Sequence, residues 1–178
     1  MAGLVDIILG PPGSGKSEQA SRLAASHRYV QISTGALLRA SNDSAIKATI
    51  DSGELESSEV VEKVLLAAIE QIDASLPILL DGFPRLKAEA KWLDQALNKL
   101  GRELGHIFVI NVTEAEALKR LESRGRSDDP KAVIKHRWQE YTTQTEPVIS
   151  SYRHDGRLIE IEGAGTPEEV AERIAASL

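Results

Sequence analysis

A glycine-rich stretch, Gly10 to Ser17, carries the residue types that bind a phosphate chain. It reads Gly-Pro-Pro-Gly-Ser-Gly-Lys-Ser and fits the pattern G-x-x-x-x-G-K-S. Glycines let backbone N–H groups turn inward around phosphate oxygens, and Lys16 can reach the terminal phosphates. A glycine-rich turn without a ligand needs neither a lysine nor a hydroxyl in this order. The stretch therefore predicts a nucleotide site.

A second motif, Asp81-Gly82-Phe83-Pro84-Arg85, directly follows an apolar run. If that run is a parallel strand, Asp81 lies at the edge of the sheet that binds ligands. A carboxylate there can hold the magnesium shell of a phosphate loop, and Arg85 can grip an anion through its forked guanidinium. The alternative is a turn with an incidental arginine, which the presence of Lys16 makes weaker.

Basic residues concentrate between Lys119 and Arg137. This segment holds seven Lys or Arg against three Asp or Glu, an excess of four positive charges in a chain whose formal net charge is −6. Arg120 and Arg124 lie four residues apart on a predicted helix and share a face, with Arg126 just beyond it. We expect the four arginines to bind phosphate, whereas the lysines of the segment fit a solvated helix face.

Apolar runs that alternate with helical patterns predict the elements that position these motifs. Runs at residues 78–80 and 107–110 have no polar face, which is typical of strands in a parallel sheet. The fold class that we predict is α/β, a three-layer fold with a central parallel sheet. The strand candidates are Leu4 to Leu9, Pro77 to Leu80, His106 to Val112 and Leu158 to Ile161, with a shorter one at Tyr29 to Ile32.

Capping residues mark the expected helix starts. Thr113 precedes two glutamates, and Thr166 precedes Pro167, which suits the first helical position. A further helix is expected to begin near Gly15, so that its positive end faces the phosphate loop.

The composition predicts one soluble domain. A length of 178 residues with 42% apolar content can bury a sizeable core. The net charge of −6 argues against broad nucleic-acid binding, and no apolar stretch approaches the roughly 18 residues of a membrane span. The chain has no cysteine and its amino terminus does not fit a secretion signal, so we expect a cytoplasmic protein. We also expect a monomer.

Taken together, the motifs resemble those of adenylate kinases and their nucleoside monophosphate kinase relatives, in the same order. The resemblance extends over about Val5 to Ile174, and Asp-Gly-Phe-Pro-Arg is its most specific element. It is carried by Gly10 to Lys16, Ile32-Ser33-Thr34-Gly35 with Leu38-Arg39, Asp81 to Arg85, and Arg126-Ser127-Asp128-Asp129 followed by Arg137.

The resemblance implies reversible transfer of the γ-phosphoryl group of ATP to AMP, which gives two ADP, with Mg²⁺ and without zinc. It implies a single phosphate-loop NTPase-type domain over residues 1–178, whose core comprises 1–32, 74–119 and 138–178. A helical monophosphate-binding insertion would span about 33–73 and a short lid about 120–137. No catalytic histidine is needed, because the acceptor phosphate oxygen is already anionic near neutral pH.

The resemblance also implies the site residues. Arg120 would pack on the adenine of the donor. The residues implied to act in catalysis are Lys16, Arg85, Arg124, Arg126 and Arg137. Those implied to bind ATP are Pro12, Gly13, Ser14, Gly15, Lys16, Ser17, Glu18, Arg120, Arg124 and Gly165. Those implied to bind the monophosphate are Thr34, Gly35, Arg39, Glu56, Gly82, Arg85, Glu89, Arg126 and Arg137. The implied metal ligands are Ser17 and Asp81.

Three positions depart from the family pattern. Glu18 stands where a threonine is usual, so we expect its carboxylate to point away from the phosphates, with the Ser17 hydroxyl as compensation. Ala36 replaces an acidic residue and removes one outer-shell contact to magnesium. Leu86 replaces a common threonine at a position that we interpret as structural.

Glu89 departs in a way that bears on the acceptor base. The family's glutamine can donate to adenine N1 and accept from the N6 amino group, whereas a carboxylate only accepts. Guanine offers two adjacent donors, so guanylate is an alternative acceptor. Glu89 could instead face solvent or contact N6 only, with backbone groups near Glu54 to Ser57 maintaining the use of adenylate.

The sequence is also compatible with other functions. The acceptor could be GMP, UMP or CMP. A phosphate-loop kinase of small metabolites would use Lys16 but would not need the pair of motifs at Ser33 to Arg39 and Asp81 to Arg85. A nucleotide-binding sensor with weak activity is a third possibility, motivated by Glu18 and Ala36.

Overall fold

Five parallel strands form the central sheet. The computed structural model describes residues 3–27, 29–124, 130–153 and 156–177, without the side chains of residues 27 and 124. The strands are β1 (Leu4–Leu9), β2 (Val30–Ser33), β3 (Ile78–Asp81), β4 (Glu103–Asn111) and β5 (Leu158–Glu162). Their order in the sheet is β2-β3-β1-β4-β5, and every neighbouring pair is parallel. All five strand predictions and the predicted fold class are confirmed.

Helices cover both faces of the sheet and connect its strands. A π-helical turn, Tyr141–Thr145, joins α7 to α8. The helices of the described residues are α1 (Lys16–His27), α2 (Thr34–Ala40), α3 (Ser44–Ser52), α4 (Ser58–Glu70), α5 (Lys87–Lys99), α6 (Glu114–Arg124), α7 (Lys131–Glu140), α8 (Glu146–Tyr152) and α9 (Pro167–Ala175). The three predicted helix starts are confirmed, and none of these helices is long and apolar enough to cross a membrane.

Alternate side chains of the sheet enter two separate hydrophobic clusters. On β1, Ile7 and Leu9 belong to the cluster that includes Leu65 of α4 and Leu93 of α5. The intervening Ile8 packs on the other face with α1 and α9. Because β1 is covered on both faces, it can consist of apolar residues almost throughout, which is the pattern that the sequence presents.

The strand register brings the sequence motifs to one edge of the sheet. Asp81, the last residue of β3, pairs with Ile8 of β1 and with Ser33 of β2. The phosphate loop follows β1, and α2 follows β2 directly. Parallel strands end at the same edge, so three motifs far apart in the sequence become neighbours there.

A buried arginine, Arg102, fastens the connection between α4 and β3 to the core. Its side chain is only 3% exposed. Nη1 donates to the backbone oxygen of Leu76 at 2.9 Å, and Nη2 donates to those of Ile72 and Asp73 at 3.2 and 2.9 Å. These carbonyls lie beyond the end of α4, so one guanidinium satisfies several part-buried acceptors.

Replacing this arginine is expected to destabilise the fold. Arg102→Met keeps the aliphatic stem but leaves three part-buried carbonyls without this donor, and hydrogen bonds to a charged group contribute roughly 1.5 to 3 kcal/mol each. We expect the free energy of unfolding, measured by urea denaturation, to fall by about 3 kcal/mol. Arg22→Met, at an exposed position of α1, is the control. Equal unfolding midpoints for the two variants would contradict this role of Arg102.

Candidate active site

The phosphate loop lies between β1 and α1 and depends on glycine backbone geometry. Gly13 and Gly15 have φ angles of 81° and 87°, which residues with a side chain rarely adopt. A Cβ atom on Gly13 would lie 2.5 Å from the backbone oxygen of Ala117. Lys16 begins α1, and its Nζ donates to the backbone oxygen of Pro11 at 3.2 Å. The lysine is thus folded back over a loop that is shaped to receive phosphate oxygens.

Asp81 brings a buried carboxylate to the same edge. Its side chain is 2% exposed, and its Oδ2 atom has no hydrogen-bond partner among the described residues. The hydroxyl of Thr34 donates to the backbone oxygen of Asp81 at 3.2 Å. Ser17 lines the cavity beside it. A buried carboxylate oxygen and a hydroxyl are hard oxygen ligands of the kind that Mg²⁺ prefers.

These two oxygens do not form a metal cage on their own. The described residues contain no group of three or more His, Asp or Glu side chains that could hold an ion. Magnesium usually keeps several waters and takes one or two carboxylates together with substrate phosphates. The site therefore fits an ion that arrives with a phosphate chain.

Four cationic side chains line one cavity at this edge, which we call the phosphate cavity. Lys16 comes from the phosphate loop, Arg39 from α2, Arg85 from the segment after β3, and Arg137 from α7. Arg85 Nε donates to the backbone oxygen of Gly82 at 2.9 Å. Arg39 lies over Gly35, where an added Cβ would be 3.3 Å from its Nη1 atom. Convergent cations of this kind can surround an anionic group from several sides.

The guanidinium of Arg85 lies where its positive charge is unfavourable. Burial lowers the pKa of the Arg85 guanidinium below its usual value, and the positive charge of Arg137 acts in the same direction. Glu89 and Asp81 oppose this shift in pKa. An anion bound beside Arg85 would favour its charged form.

A smaller cavity, which we call the base cavity, adjoins the phosphate cavity. Five residues line both, so the two are continuous; these are Leu38, Leu55, Glu56, Gly82 and Arg85. The base cavity adds the apolar side chains of Val61 and Phe83, and at its margins Thr34 and Glu89. Apolar walls with few polar groups suit a flat heterocycle.

Glu89 lies on the wall of the base cavity and caps α5. Its side chain is buried, so the alternative that it faces solvent is wrong. Oε2 accepts hydrogen bonds from the backbone N–H groups of Arg85 at 2.7 Å and Leu86 at 3.1 Å. Oε1 accepts from the hydroxyl of Ser58 at 3.3 Å. The carboxylate therefore ties the Arg85 segment to α4. A glutamate at the third position of a helix, which can accept from the backbone N–H of the N-cap residue, could have indicated this role.

Arg120 lies beside the phosphate loop rather than on the phosphate cavity. Its Nη1 donates to the backbone oxygen of Ser14 at 3.3 Å, and its Nη2 to that of Gly163 at 2.9 Å and that of Gly165 at 3.5 Å. Nε bonds Glu116 Oε1 at 2.9 Å. The guanidinium thus bridges the loop after β1 and the loop after β5.

Three further predicted residues, Glu18, Arg124 and Arg126, are described to different extents. Glu18 forms an exposed ion pair with Arg22 at 2.7 Å, so its carboxylate is turned along α1, in agreement with the expectation. Arg124 ends α6, and only its backbone is described. Arg126 lies outside the described residues.

The sequence does not predict that a π-helical turn forms one wall of the phosphate cavity. Glu140 ends α7 and lines the phosphate cavity, together with Tyr141 and Thr145 of the turn. Single π-helical turns occur frequently at functional sites because they redirect side chains within a helix. The residues of this turn carry no motif that could have revealed it.

The end of α3 contacts α7 across the phosphate cavity. Arg137 Nη2 donates to the backbone oxygen of Ile50 at 2.9 Å. At Gly53, a Cβ atom would lie 2.7 Å from Cγ1 of Val133. The helices that follow β2 are therefore in contact with the helix that bears Arg137, and the cavity has walls on both sides.

A phosphate loop, a carboxylate at the end of the neighbouring strand and a cationic cavity joined to a base cavity define a phosphate-loop enzyme that handles two phosphorylated groups. The comparisons with known proteins agree. A family model described as adenylate kinase matches residues 8–157. The chain belongs to the adenylate kinase family.

Relatives resemble the chain over nearly its whole length. It is 36% identical to an adenylate kinase of Clavibacter michiganensis, over 97% of this chain and 91% of the relative. It is 39% identical to one of Synechococcus and 37% identical to one of Xanthomonas campestris, each over 97% of both chains.

The capping role of Glu89 can be tested by stability. Glu89→Leu removes the acceptor of two backbone N–H groups at the start of α5, and an unsatisfied buried donor costs about 1 to 3 kcal/mol. We expect urea denaturation to show a loss of that size. Glu89→Gln keeps one acceptor oxygen and is expected to lose less. If both variants unfold at the midpoint of the unmodified protein, Glu89 does not cap the helix.

Proposed function

We propose that this protein is a magnesium-dependent adenylate kinase, which transfers the γ-phosphoryl group of ATP reversibly to AMP and yields two ADP. The observation that carries the proposal is the cationic phosphate cavity, which joins the phosphate loop on one side and an apolar base cavity on the other. Membership in the adenylate kinase family makes the chain a phosphotransferase and supports this assignment.

The donor nucleotide binds at the phosphate loop. Backbone N–H groups of residues 13–18 surround its phosphates, and Lys16 moves from the Pro11 oxygen to the terminal phosphates. Arg120 and the Gly165 loop border the space for the donor's base, which is consistent with the hydrogen bonds between Arg120 and the backbone of both loops. Contacts from Arg124 and Arg126 to phosphate remain predictions.

Ser17 and Asp81 are the proposed protein contacts of magnesium. The partnerless Oδ2 atom of Asp81 supports this role. The ion supplies positive charge between the phosphates of the donor. Asp81 holds its carboxylate in place through burial, and Ser17 offers its hydroxyl from the first turn of α1. Absence of zinc, a monomeric state and a cytoplasmic location remain our expectations.

The acceptor monophosphate occupies the two continuous cavities. Arg39 and Arg85 hold its phosphate, with Thr34 and Gly35 beside them, and its base enters the base cavity near Gly82 and Glu89. No general base is required, since the attacking phosphate oxygen carries charge near neutral pH. Lys16, Arg85 and Arg137 neutralise charge on the transferring group.

Exclusion of water protects the phosphoryl group from hydrolysis. We propose that an insertion at about residues 33–73 and a short lid at about 120–137 close over the two nucleotides. The contact between Arg137 and Ile50, which lie in these two segments, supports this arrangement.

A panel of acceptors tests the proposed function. ATP is combined with AMP, GMP, CMP, UMP and their deoxy forms, and formation of ADP is followed in a coupled assay. We expect AMP to be the preferred acceptor. A preference for GMP would indicate that Glu89 selects guanine, whereas no turnover with any monophosphate would contradict the proposal and favour a sensor or a small-metabolite kinase.

Lys16 is expected to be essential for turnover. Lys16→Ala removes a positive charge that acts where negative charge develops, and loss of such a contact costs about 3 to 4 kcal/mol, or a few hundredfold in kcat. Steady-state kinetics with ATP and AMP measure the loss, and circular dichroism checks the fold. A folded Lys16→Ala protein with near-normal kcat would rule out this mechanism.

Two arginines of the phosphate cavity, Arg85 and Arg137, are expected to differ in effect. Arg85→Ala should chiefly raise KM for AMP, because it removes a grip on the acceptor phosphate, whereas Arg137→Ala should chiefly lower kcat. Arg153→Ala, an arginine that pairs with Glu160 away from the cavity, is the control. Changes below about tenfold in kcat/KM for both variants would show that neither guanidinium holds phosphate.

A further inference from the structure

Glu56 carries a buried carboxylate oxygen without a partner. The residue lies in the connection between α3 and α4. Its Oε1 atom accepts a hydrogen bond from the backbone N–H of Ser57 at 2.8 Å. Its Oε2 atom is buried and has no hydrogen-bond partner among the described residues. A buried carboxylate oxygen without a donor is costly, so such an atom in a binding cavity indicates that a ligand supplies the donor.

The position of Glu56 narrows the choice of donor. It is one of the residues that line both the phosphate cavity and the base cavity. The phosphate cavity contains Lys16, Arg39, Arg85 and Arg137, whereas the base cavity is mainly apolar. A nucleoside monophosphate laid across the two places its ribose at their junction, because the ribose links the phosphate to the base.

The chemistry of the junction matches ribose hydroxyl groups. A phosphate carries no hydrogen-bond donor when ionised and is repelled by a carboxylate. Ribose hydroxyls donate readily, and acidic side chains bind them in other nucleotide sites. The other carboxylate of the base cavity, Glu89, already accepts hydrogen bonds from two backbone N–H groups and a hydroxyl. Glu56 Oε2 is therefore the better acceptor for the sugar.

We propose that Glu56 is a specificity-determining residue that accepts a hydrogen bond from the 2′-hydroxyl of the acceptor's ribose. The enzyme then prefers ribonucleoside over 2′-deoxyribonucleoside monophosphates. This inference rests on the proposed function, since it needs a nucleoside monophosphate in the two cavities. It adds recognition of the sugar to the proposed contacts with the phosphate and the base.

The test compares kcat/KM for AMP and 2′-deoxy-AMP at saturating ATP. We expect the unmodified enzyme to prefer AMP by about tenfold or more, since a buried acceptor left without its donor discriminates to that degree. Glu56→Val removes the acceptor and should bring the ratio near one, with KM for ATP unchanged. Glu56→Gln, which keeps one acceptor oxygen, should retain part of the preference.

Matched controls separate sugar recognition from general damage. Glu59→Val makes the same change at an exposed position of α4 that lines neither cavity, and should leave the ratio unaltered. Glu56→Val deletes the partnerless Oε2 atom together with one exposed hydrogen bond from the backbone N–H of Ser57, which water can replace, so its melting temperature should change little. A clear fall in melting temperature together with an unaltered ratio would show that Glu56 is structural and overturn the proposal.

Two more acceptors identify the donor group. The monophosphate of 3′-deoxyadenosine should respond to Glu56→Val as AMP does, and so should purine riboside monophosphate, which lacks the 6-amino group. If instead the preference for AMP over purine riboside monophosphate disappears and the preference over 2′-deoxy-AMP persists, Glu56 binds the base and the proposal is wrong. An unmodified enzyme that phosphorylates no monophosphate would contradict the proposed function itself, whereas an active enzyme with an unchanged sugar ratio contradicts this inference alone.

Discussion

Convergence of like charges on one cavity is the constraint on which the site depends. Burial lowers the pKa of the Arg85 guanidinium, and the positive charge of Arg137 lowers it further. Lys16, Arg85 and Arg137 all line this cavity. Each is held by a hydrogen bond to a backbone oxygen: Lys16 to that of Pro11, Arg85 to that of Gly82 and Arg137 to that of Ile50. Backbone carbonyl dipoles thus hold the three cations in place. We propose that phosphates replace these carbonyls as partners and that the positive potential lowers the cost of bringing two anionic nucleotides together.

The parallel sheet makes this convergence possible. Its central strands deliver the phosphate loop and Asp81 to one edge, and α2 starts there with Thr34. The opposite wall comes from α7 and the π-helical turn, which α3 contacts through Ile50. We propose that this edge of the sheet binds the donor's phosphates and that Arg39 of α2 and Arg85 of the segment after β3 hold the acceptor.

Local patterns in the sequence predict the five strands and three helix starts, but neither the π-helical turn nor all contacts. β1 was predicted with both of its bounds, because its apolar residues stand between a glycine-rich loop and the amino terminus. The order of strands follows from long-range packing that no local pattern encodes. Glu89 shows the difference well: its position suggested base recognition, but its partners include Ser58 of another helix. The buried Oε2 of Glu56 likewise depends on how α3 and α4 enclose the cavities.

The central claim is that one set of cations serves donor and acceptor at the same time. Titration calorimetry with a bisubstrate analogue, in which a polyphosphate chain joins two adenosines, tests it most directly. We expect one analogue to bind per chain. Its affinity should exceed that of ATP alone by at least about a hundredfold, since linking two occupied subsites raises the affinity to that extent. Binding no tighter than that of ATP would show that the two cavities do not receive both nucleotides together and would contradict the account.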